Sequence, residues 1–357
     1  MGIMAVFLKI LIVHEIFPPE MSGGGEKLVL RLAKSLKERG HSIKVITSGN
    51  PKIKKYEEIE TIRMPINRYI MNFSTPIIAR YAVDADIIQT SSGNVCFPSW
   101  VAAKMLGKPI CCMVCHIFGH YWTDVRGPFV GRIFEFMESF FLARSYDTIV
   151  FLNKSSKKIG AKLGVEIKKS ISSNPGIDFK KFQIRGVKKE PFVLSVGNFS
   201  MNKPTVKIKG FEYVIEAAKR MPDTRFVIVG SGDYMPTLRR KAPKNVEFLK
   251  NLRYHDLIRL YNRALVYCAP SLAEGFGFTI LEAMASGCAV VSSIDLGQTG
   301  KIIKPKNTSE IVKEISRLMK NPSKAKALGE RNKKIAKKFV WEKFVDRFEE
   351  IYRHLSK

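Results

Sequence analysis

The chain has 357 residues, 45% of them hydrophobic, and its 60 Lys and Arg residues against 32 Asp and Glu residues give a net charge of +28. This composition excludes a disordered chain, and no apolar run reaches the roughly 18 residues that a membrane-spanning helix needs. The length predicts two domains or one large α/β domain, and the charge favours nucleic acid, an anionic membrane surface or phosphorylated substrates as partners. A lysine-rich, solvated thermophile surface without a partner is the alternative.

The first half of the chain alternates strand and helix patterns. The segment "LKILIVHEI" predicts a buried strand rather than a signal peptide, because Lys9 interrupts the apolar run and no small-residue cleavage site follows. A glycine-led segment with a helical apolar stripe comes next, and "SIKVITS" completes a β-α-β unit. Continuous apolar runs at "DIIQTS", "PICCMVCH" and "TIVFLN" are typical of a parallel sheet that is covered on both faces.

The second half repeats this order from "FVLSVG" onward and ends in a helical tail over residues 308–357. A polar, basic segment with proline and glycine lies between the halves and predicts a domain boundary. We expect an α/β fold of two doubly wound Rossmann-type domains, with ligand sites outside the carboxyl ends of the strands. The expected divisions are an N-terminal domain, a C-terminal domain and a closing helix that packs back on the N-terminal domain: 1–185, 186–340 and 341–357.

The segment "AEGFGFTILEAMASGCAVVSS" contains two acids separated by seven residues, Glu274 and Glu282. Its glycines let backbone amides approach a ligand closely, and the helix expected from Phe278 points its free N–H groups toward the same place, which suits a phosphate. Glu282 on that helix can accept hydrogen bonds from a diol such as ribose. Alternatively, Glu274 is a solvated loop residue and Glu282 only a favourable helix-start charge. The spacing alone does not decide between the two.

This segment resembles the E-x7-E signature of the family 4 retaining glycosyltransferases, which have the GT-B fold of two Rossmann-like domains facing a cleft. Three other segments resemble the family in the same order: "PPEMSGGGEKLVLRLAKSLKERGHSIKVIT", "SSNPGIDFKKF" and "LSVGNFS…KGFEYVIEAAKRM…RFVIVGSGD". The combination covers most of the chain and is more specific than any one glycine motif. It implies a retaining hexosyltransferase with a nucleotide-sugar donor, bound mainly by the C-terminal domain.

The resemblance also implies roles for individual residues. Glu274 would contact the transferred sugar, Lys209 would neutralise the diphosphate, and Glu282 would bind the donor ribose. His116 matches the family histidine near the donor sugar, with His120 as the competing candidate and a structural strand-end histidine as the alternative. The remaining donor contacts implied by the resemblance are Gly24, Gly277, Phe278 and Thr279.

Two departures from the family pattern concern the donor site. Asn198 stands where the family usually has an arginine that pairs with the lysine on the diphosphate. Lys203 or Lys207, in the longer loop that follows, would then supply the missing charge. The loop after Ser293 is also shorter than the family's, so one wall of the phosphate site is reduced.

The six cysteines lie mostly in apolar, strand-like runs, and the single C-x-x-C of Cys112 and Cys115 lacks the second pair that a zinc site would need. We therefore expect buried, reduced cysteines. The resemblance implies that no metal and no cofactor is needed, and that basic side chains and helix dipoles stabilise the departing diphosphate.

Residues 127–147 are unusually aromatic, and two interpretations stay open for them: a helix buried against the sheet, or a helix that seats a lipid. Residues 154–189 contain 11 Lys and Arg against 2 Asp and Glu, a local balance of +9, and residues 63–81 mix basic and apolar side chains. We therefore expect a cytoplasmic enzyme, peripheral on the inner face of the cell membrane, with a lipid or lipid-linked acceptor. A non-catalytic nucleotide-sugar-binding relative is one alternative, and a basic nucleic-acid-binding protein is a weaker one.

Overall fold

The computed structural model describes residues 7–20, 23–200 and 205–357. The chain forms two units, of which the first comprises residues 1–119, 134–175 and 341–357 and the second comprises residues 120–133 and 176–340. No helix among the described residues is long and apolar enough to cross a membrane.

The first unit is built on an eight-stranded sheet with the strand order β3-β4-β2-β1-β5-β6-β7-β8. All neighbouring strands are parallel except the short β3, which runs antiparallel to β4. The central strands are rich in Ile and Val and are almost entirely buried, because helices cover both faces of the sheet. The strands are β1 Lys9–Ile16, β2 Ser42–Ser48, β3 Lys55–Tyr56, β4 Ile59–Met64, β5 Ile87–Ser91, β6 Ile110–Val114, β7 Thr148–Phe151 and β8 Ser170–Ser172.

Six helices follow one another through this part of the chain, and the fifth crosses the division between the units at residues 133–134. The apolar stripe of the first, with Leu28, Leu32 and Leu36, is fully buried as its spacing predicts. The interpretation of residues 127–147 as a buried helix is wrong for the outer side of the fifth, where several large apolar side chains are exposed. The helices are α1 Gly24–Glu38, α2 Thr75–Ala82, α3 Cys96–Leu106, α4 Trp122–Arg126, α5 Pro128–Leu142 and α6 Lys154–Lys162.

The second unit contains a five-stranded, fully parallel sheet with the strand order β11-β10-β9-β12-β13. Its apolar core lies between this sheet and the helices on both faces. An isolated parallel bridge also joins Ser292 and Ile302. The strands are β9 Glu190–Val196, β10 Arg225–Val229, β11 Val246–Leu249, β12 Ala264–Ala269 and β13 Ala289–Ser292. The helices are α7 Thr205–Ile208, α8 Phe211–Lys219, α9 Met235–Lys241, α10 Tyr254–Arg263, α11 Phe278–Ala285, α12 Thr308–Met319 and α13 Pro322–Ala336.

The second unit begins at Gly176, earlier than the boundary expected at residue 185. Phe182 is buried edge-on against Tyr254, with ring centroids 6.4 Å apart, and the amide of Gln183 donates to the carbonyl of Ala285 over 2.7 Å. The basic connecting segment therefore satisfies a helix carbonyl of the second unit instead of acting as a free linker. Residues 120–133 also group with this unit, where Lys306 pairs with Asp124 at 2.6 Å.

The last helix, α14 (Trp341–Leu355), belongs to the first unit and packs on α1. Its indole N–H at Trp341 donates to the hydroxyl of Ser35 over 2.9 Å, and Arg39 pairs with Asp346 and Glu349 at 2.6 and 2.7 Å. Burial alone would raise the pKa of Glu349, but hydrogen bonds from Arg353 and Arg39 outweigh it and lower the pKa to about 2.

Candidate functional site

Two distant segments of the second unit meet at the carboxyl end of β12. The backbone N–H of Leu272 donates to the carbonyl of Ile208 over 2.7 Å. Gly210 lies between them with a φ of +70°, and a Cβ there would be 2.3 Å from the carbonyl oxygen of Pro270. Only glycine fits this position without strain, because it needs both the left-handed backbone and the missing side chain. This contact places the side chain of Lys209 beside the turn that follows β12.

Lys209 and Glu274 form an ion pair in that turn. The ammonium Nζ of Lys209 donates to both carboxylate oxygens of Glu274, over 2.6 and 2.8 Å. The hydroxyl of Ser271 donates to the same carboxylate over 2.9 Å, and the hydroxyl of Ser293 donates to the carbonyl of Ser271. Both charged side chains line a small pocket whose other walls come from β9, α8, α11 and the end of β12 with the turn after it, namely Val196, Phe211, Thr279, Cys268, Ala269 and Pro270.

Helix α11 begins at this pocket. Gly277, its N-cap residue, has a φ of +107°, so the chain enters the helix through a backbone conformation that favours glycine. The N–H groups of Ile280 and Leu281 donate to the carbonyl of Gly277. The N–H groups of Phe278 and Thr279 come before the first intrahelical acceptor, and N–H groups in this position suit an anion. The buried residues of α11 are Ile280, Leu281 and Ala283–Ala285, which leaves Phe278, Thr279 and Glu282 on the accessible side.

The side chain of Glu282 is held in place by a hydrogen bond from α10. The buried phenol of Tyr261 on α10 donates to its carboxylate over 3.0 Å. Burial raises the pKa of Tyr261, and the charge of Glu282 raises it further, so the phenol stays protonated and acts as a donor. Burial likewise raises the pKa of Tyr267 on β12, to which both Glu282 and Glu274 contribute. The two acids of the motif therefore lie near one buried tyrosine.

Asn198 does not reach the ion pair through any described contact. It is exposed, and its side-chain oxygen accepts the backbone N–H of Ser200 over 2.9 Å, which closes a local turn. Lys203 lies outside the described residues. Lys207 on α7 is exposed, and its charge acts on Glu212. The cation that would replace the family arginine thus stays a prediction.

The short loop after Ser293 is stabilised by bonds within itself and to α13. The amide of Gln298 donates to the carbonyl of Ile294 over 2.6 Å and accepts the N–H of Leu296 over 2.8 Å. The buried side chain of Asn332 accepts both the N–H and the hydroxyl of Thr299, each over 2.8 Å. The wall that the loop forms is small but well supported.

In the first unit, His116 follows β6 and is half-buried. Its backbone N–H donates to the hydroxyl of Ser92 over 3.2 Å, and its ring lies 5.7 Å from that of Phe118. Burial lowers the pKa of His116, and Arg68 lowers it further against the opposing charge of Glu15. The competing candidate, His120, is exposed and groups with the second unit. Gly24 is exposed at the start of α1.

Sequence reasoning missed two buried polar residues at the end of β1. His14 shares a hydrogen bond of 2.7 Å with the hydroxyl of Ser91, and burial lowers its pKa. Glu15 accepts the backbone and side-chain N–H groups of Asn94 over 2.6 and 3.0 Å. Their signal was the polar pair His-Glu in an apolar strand, at the sheet edge where α/β folds bind ligands.

The cysteines lie where the apolar runs predict. Five are buried and Cys115 is partly buried, and burial raises the pKa of Cys96 and Cys115 to about 12. Within residues 7–20, 23–200 and 205–357 there is no group of three or more His, Cys, Asp or Glu side chains that could hold a metal. The expectation that no metal is needed stays a prediction.

The arrangement in the second unit combines one cation, one carboxylate and a helix N-terminus around a pocket, with a second carboxylate, that of Glu282, on the accessible side of the same helix. A cation and free N–H groups suit the phosphates of a ligand, whereas carboxylates accept hydrogen bonds from hydroxyl groups. These donors and acceptors match a molecule that contains both phosphates and sugar hydroxyls.

Comparison with known proteins agrees with this chemistry. Residues 22–181 match the sequence family "Glycosyltransferase Family 4", and residues 176–335 match "Glycosyl transferases group 1". An Escherichia coli UDP-Gal:alpha-D-GlcNAc-diphosphoundecaprenol alpha-1,3-galactosyltransferase is 29% identical over 59% of this chain and 58% of its own. A Campylobacter jejuni N,N'-diacetylbacillosaminyl-diphospho-undecaprenol alpha-1,3-N-acetylgalactosaminyltransferase is 24% identical over 81% of this chain and 85% of its own.

Among solved structures, a sucrose-phosphate synthase from Thermosynechococcus elongatus superposes with a TM-score of 0.79 at 19% identity, covering 98% of this chain and 99% of its own. That similarity extends the agreement to the fold, with two Rossmann-like domains built on parallel sheets. The chain belongs to the family 4 glycosyltransferases of the GT-B fold.

Proposed function

We propose that this protein is a retaining glycosyltransferase that moves a hexose-type sugar from a nucleotide-sugar donor to a lipid-linked acceptor. The observation that carries the proposal is the ion pair of Lys209 and Glu274, which lies beside the N-terminus of α11 with Glu282 on its accessible side. In this reading Lys209 and the first N–H groups of α11 hold the diphosphate. Glu274 binds hydroxyls of the transferred sugar, and Glu282 binds the ribose.

The charge that grows during transfer lies on the departing diphosphate. A cation and oriented N–H groups that are already in place stabilise it without reorganisation, and the loss of one such donor typically costs about 100- to 1,000-fold in rate. The bond from the anomeric carbon to the phosphate oxygen breaks, and the acceptor hydroxyl attacks from the same face. Its proton passes to the departing phosphate, so no protein nucleophile is needed and the anomeric configuration is retained.

Relatives support the acceptor class. The names of the two matched bacterial enzymes describe transfer to sugars on a diphospho-undecaprenol carrier, and a Corynebacterium glutamicum relative is named as a mannosyltransferase that acts on an acylated phosphatidylinositol monomannoside. All three acceptors are amphiphiles with a negatively charged head. A protein with a net charge of +28 is attracted to such molecules and to the anionic membrane that contains them. We place the reaction at the cytosolic face of the membrane.

The test begins with a thermal-shift screen of nucleotide sugars, because a ligand that binds the native state raises its stability by about 2.7 kcal/mol at 100 times its Kd. The donor that shifts the unfolding midpoint is then supplied with detergent-dispersed diphosphoundecaprenyl sugars, and product formation and anomeric configuration are measured. Transfer with retention in the presence of EDTA is the expected result. An inverted product or a strict requirement for a divalent cation would contradict the mechanism.

A non-catalytic nucleotide-sugar-binding protein is the second candidate, and the neutral, exposed Asn198 favours it because the family arginine is missing there. It predicts the same thermal shift with no turnover for any acceptor. The variant Asn198→Arg separates the two candidates. If the wild-type site already catalyses transfer, the rate of the variant stays within a few-fold of the wild-type rate. If the wild type is inactive because it lacks this cation, the variant gains transfer activity. A nucleic-acid-binding protein would instead show affinity for duplex or single strands that falls steeply with salt, and no response to nucleotide sugars.

A further inference from the structure

Helix α5 is attached to the first unit through polar groups on its inner side. The carboxylate of Glu138 accepts the backbone N–H groups of Phe118 and Gly119, at 3.1 and 2.6 Å. The hydroxyl of Ser139 donates to the carbonyl of Leu163 over 2.8 Å, and Leu142 is buried in the core of the unit. The inner side of the helix therefore packs against the first unit.

The outer side of α5 is also apolar, whereas the outer side of a surface helix is usually polar. Phe129, Ile133, Phe136 and Phe140 recur at spacings of four, three and four residues, so they form one stripe along the helix. Their exposed fractions are 79%, 46%, 69% and 39%, and the neighbouring Val130 is 43% exposed. Isolated exposed apolar residues are ordinary, but a continuous aromatic stripe marks an interaction surface.

The stripe is held in a fixed arrangement by the aromatic residues beside it. Phe140 lies 6.3 Å from Phe136 and 5.5 Å from Phe97 of α3, between ring centroids. Trp100 stacks on Phe97 at 6.0 Å, and Met105, one of the most exposed apolar side chains, lies further along α3. The apolar surface thus extends from α5 onto α3.

Cations flank the stripe at both ends. Arg126 precedes α5, and Arg132 is exposed within it. At the other end the guanidinium of Arg144 lies 4.1 Å from the centre of the Phe140 ring and donates to the carbonyl of Phe140 over 2.7 Å. Exposed aromatic rings with arginines beside them are the composition of helices that lie in the headgroup region of a membrane.

We propose that the outer face of α5, with the adjoining part of α3, seats the enzyme on an anionic lipid bilayer. The proposal rests on the proposed function in one respect, because a lipid-linked acceptor is found at such a surface. The net charge selects this occupant: the chain carries +28, so an anionic surface attracts it, whereas a second copy of the same chain repels it.

The experiment is flotation of the full chain with vesicles of phosphatidylcholine alone and of phosphatidylcholine with phosphatidylglycerol. The wild-type protein floats with the anionic vesicles, and binding weakens as salt rises. The double variant Phe129→Ser, Phe136→Ser lowers partitioning roughly tenfold, since two rings no longer enter the bilayer. The matched control is Val83→Ser, which removes an apolar side chain that is 56% exposed at the end of α2 and floats like the wild type.

Three outcomes overturn the proposal: no flotation of the wild type, equal flotation with both kinds of vesicle, or flotation of the double variant at the wild-type level. A concentration-dependent dimer that the double variant abolishes, without vesicle binding, also overturns it and assigns the face to self-association. Transfer to a detergent-dispersed acceptor is measured in parallel and is unchanged in the double variant. Its absence in the wild type counts against the proposed function alone, since flotation does not depend on turnover.

Discussion

The carboxyl edges of the two sheets hold ionisable groups in different ways. At the edge of the first sheet, His14, Glu15 and His116 are bonded to hydroxyl or backbone groups of neighbouring strands and turns. Burial lowers the pKa of both histidines, so their rings are neutral near pH 7. At the edge of the second sheet, opposite charges meet directly in the pair of Lys209 and Glu274.

This difference indicates which kind of ligand each edge suits. Neutral rings and a carboxylate bind uncharged hydroxyl groups, as an acceptor sugar presents them, without a net electrostatic cost. An ion pair beside a helix N-terminus can release its cation to a ligand that brings its own negative charge, since the phosphate replaces the carboxylate as the partner of the ammonium. The second edge is therefore the better candidate for the diphosphate of a donor.

The largest effect is expected from removing the cation of the second edge. Lys209→Met leaves the carboxylate of Glu274 with the hydroxyl of Ser271 and deprives the diphosphate of its counter-charge, so transfer falls by about 100- to 1,000-fold. Steady-state transfer rates with the donor found in the thermal-shift screen measure it. The matched control is Lys244→Met, an exposed lysine before β11 and so at the opposite edge of the sheet, which keeps most of the activity.

The double variant Lys209→Met, Glu274→Gln distinguishes a ligand-binding pair from a structural one. It removes both charges, so thermal stability returns toward the wild-type level because no unpaired, partly buried charge is left. Transfer stays low if the two side chains act on the donor. If transfer recovered in the double variant, the ion pair would have only a structural role.

The next effect concerns the backbone contact that positions Lys209. Gly210→Ala places a Cβ 2.3 Å from the carbonyl oxygen of Pro270 in a left-handed conformation, whereas Gly186→Ala meets the same left-handed penalty, at a φ of +76°, with no atom nearby. The conformation costs about 1–2 kcal/mol in each variant, and the overlap adds about 1–3 kcal/mol for Gly210 alone. Thermal unfolding with and without the donor measures both. Equal unfolding midpoints for the two variants would show that the contact at Pro270 does not constrain the fold.

A smaller effect is expected at Glu282, whose role is to bind rather than to stabilise developing charge. Glu282→Gln raises the KM for the donor about tenfold with little change in kcat, because one charged hydrogen bond of about 1.4 kcal/mol is weakened equally in the ground and transition states. Tyr261→Phe keeps the carboxylate but removes its supporting donor, and it raises KM by a smaller factor. A fall in kcat at constant KM for Glu282→Gln would assign this residue to the chemical step instead.

Local sequence signals predicted the elements that carry the second edge. The helix expected from Phe278 to Ser286 is α11, Phe278–Ala285, because Gly277 and Gly287 bracket an apolar run and both have a positive φ. The resemblance brought Lys209 and Glu274 into one site, and the ion pair places them together. Residue spacing could not predict their direct contact, since 65 residues separate them and the register depends on the bond between Leu272 and Ile208.

Tertiary contacts also determine two features that the sequence does not, namely the orientation of α5 and the packing of the segment before β9. The composition of α5 fits a buried helix as well as an exposed one, and the choice depends on the polar side that attaches to the unit through Glu138 and Ser139. The polar segment before β9 reads as a linker, but Gln183 and Lys189 donate to carbonyls of the second unit. Polar side chains that donate to buried carbonyls leave no signal in hydropathy, so the sequence does not show that this segment packs on the second unit.

The smallest expected effect is a dependence of stability on pH that arises from the histidines of the first unit. The pKa values of His14, His41 and His116 are lowered by burial, so the unfolded chain binds protons that the folded chain does not as the pH falls below the ordinary histidine value of about 6.5. Stability is therefore fully present above that pH and is lost as the pH falls, by at most about 1.4 kcal/mol per pH unit for each ring. At His41 the ring nitrogen Nδ1 accepts the N–H of Leu8 over 3.1 Å, a bond that requires an unprotonated nitrogen.

Glu349 titrates in a separate window, because its pKa is lowered to about 2 and its contribution is lost only as the pH falls below the ordinary glutamate value of about 4.3. A loss of stability between pH 6.5 and 5 is thus assigned to the histidines, and all three lie in the first unit. Urea unfolding across this range measures the slope, with His14→Asn and His116→Asn as variants because these two rings lie at the carboxyl edge of the first sheet. The wild type loses stability faster than either variant on acidification. A wild-type slope that the variants leave unchanged would mean that these rings take up protons equally in the folded and unfolded chains, and the contrast between neutral and charged edges would then fail.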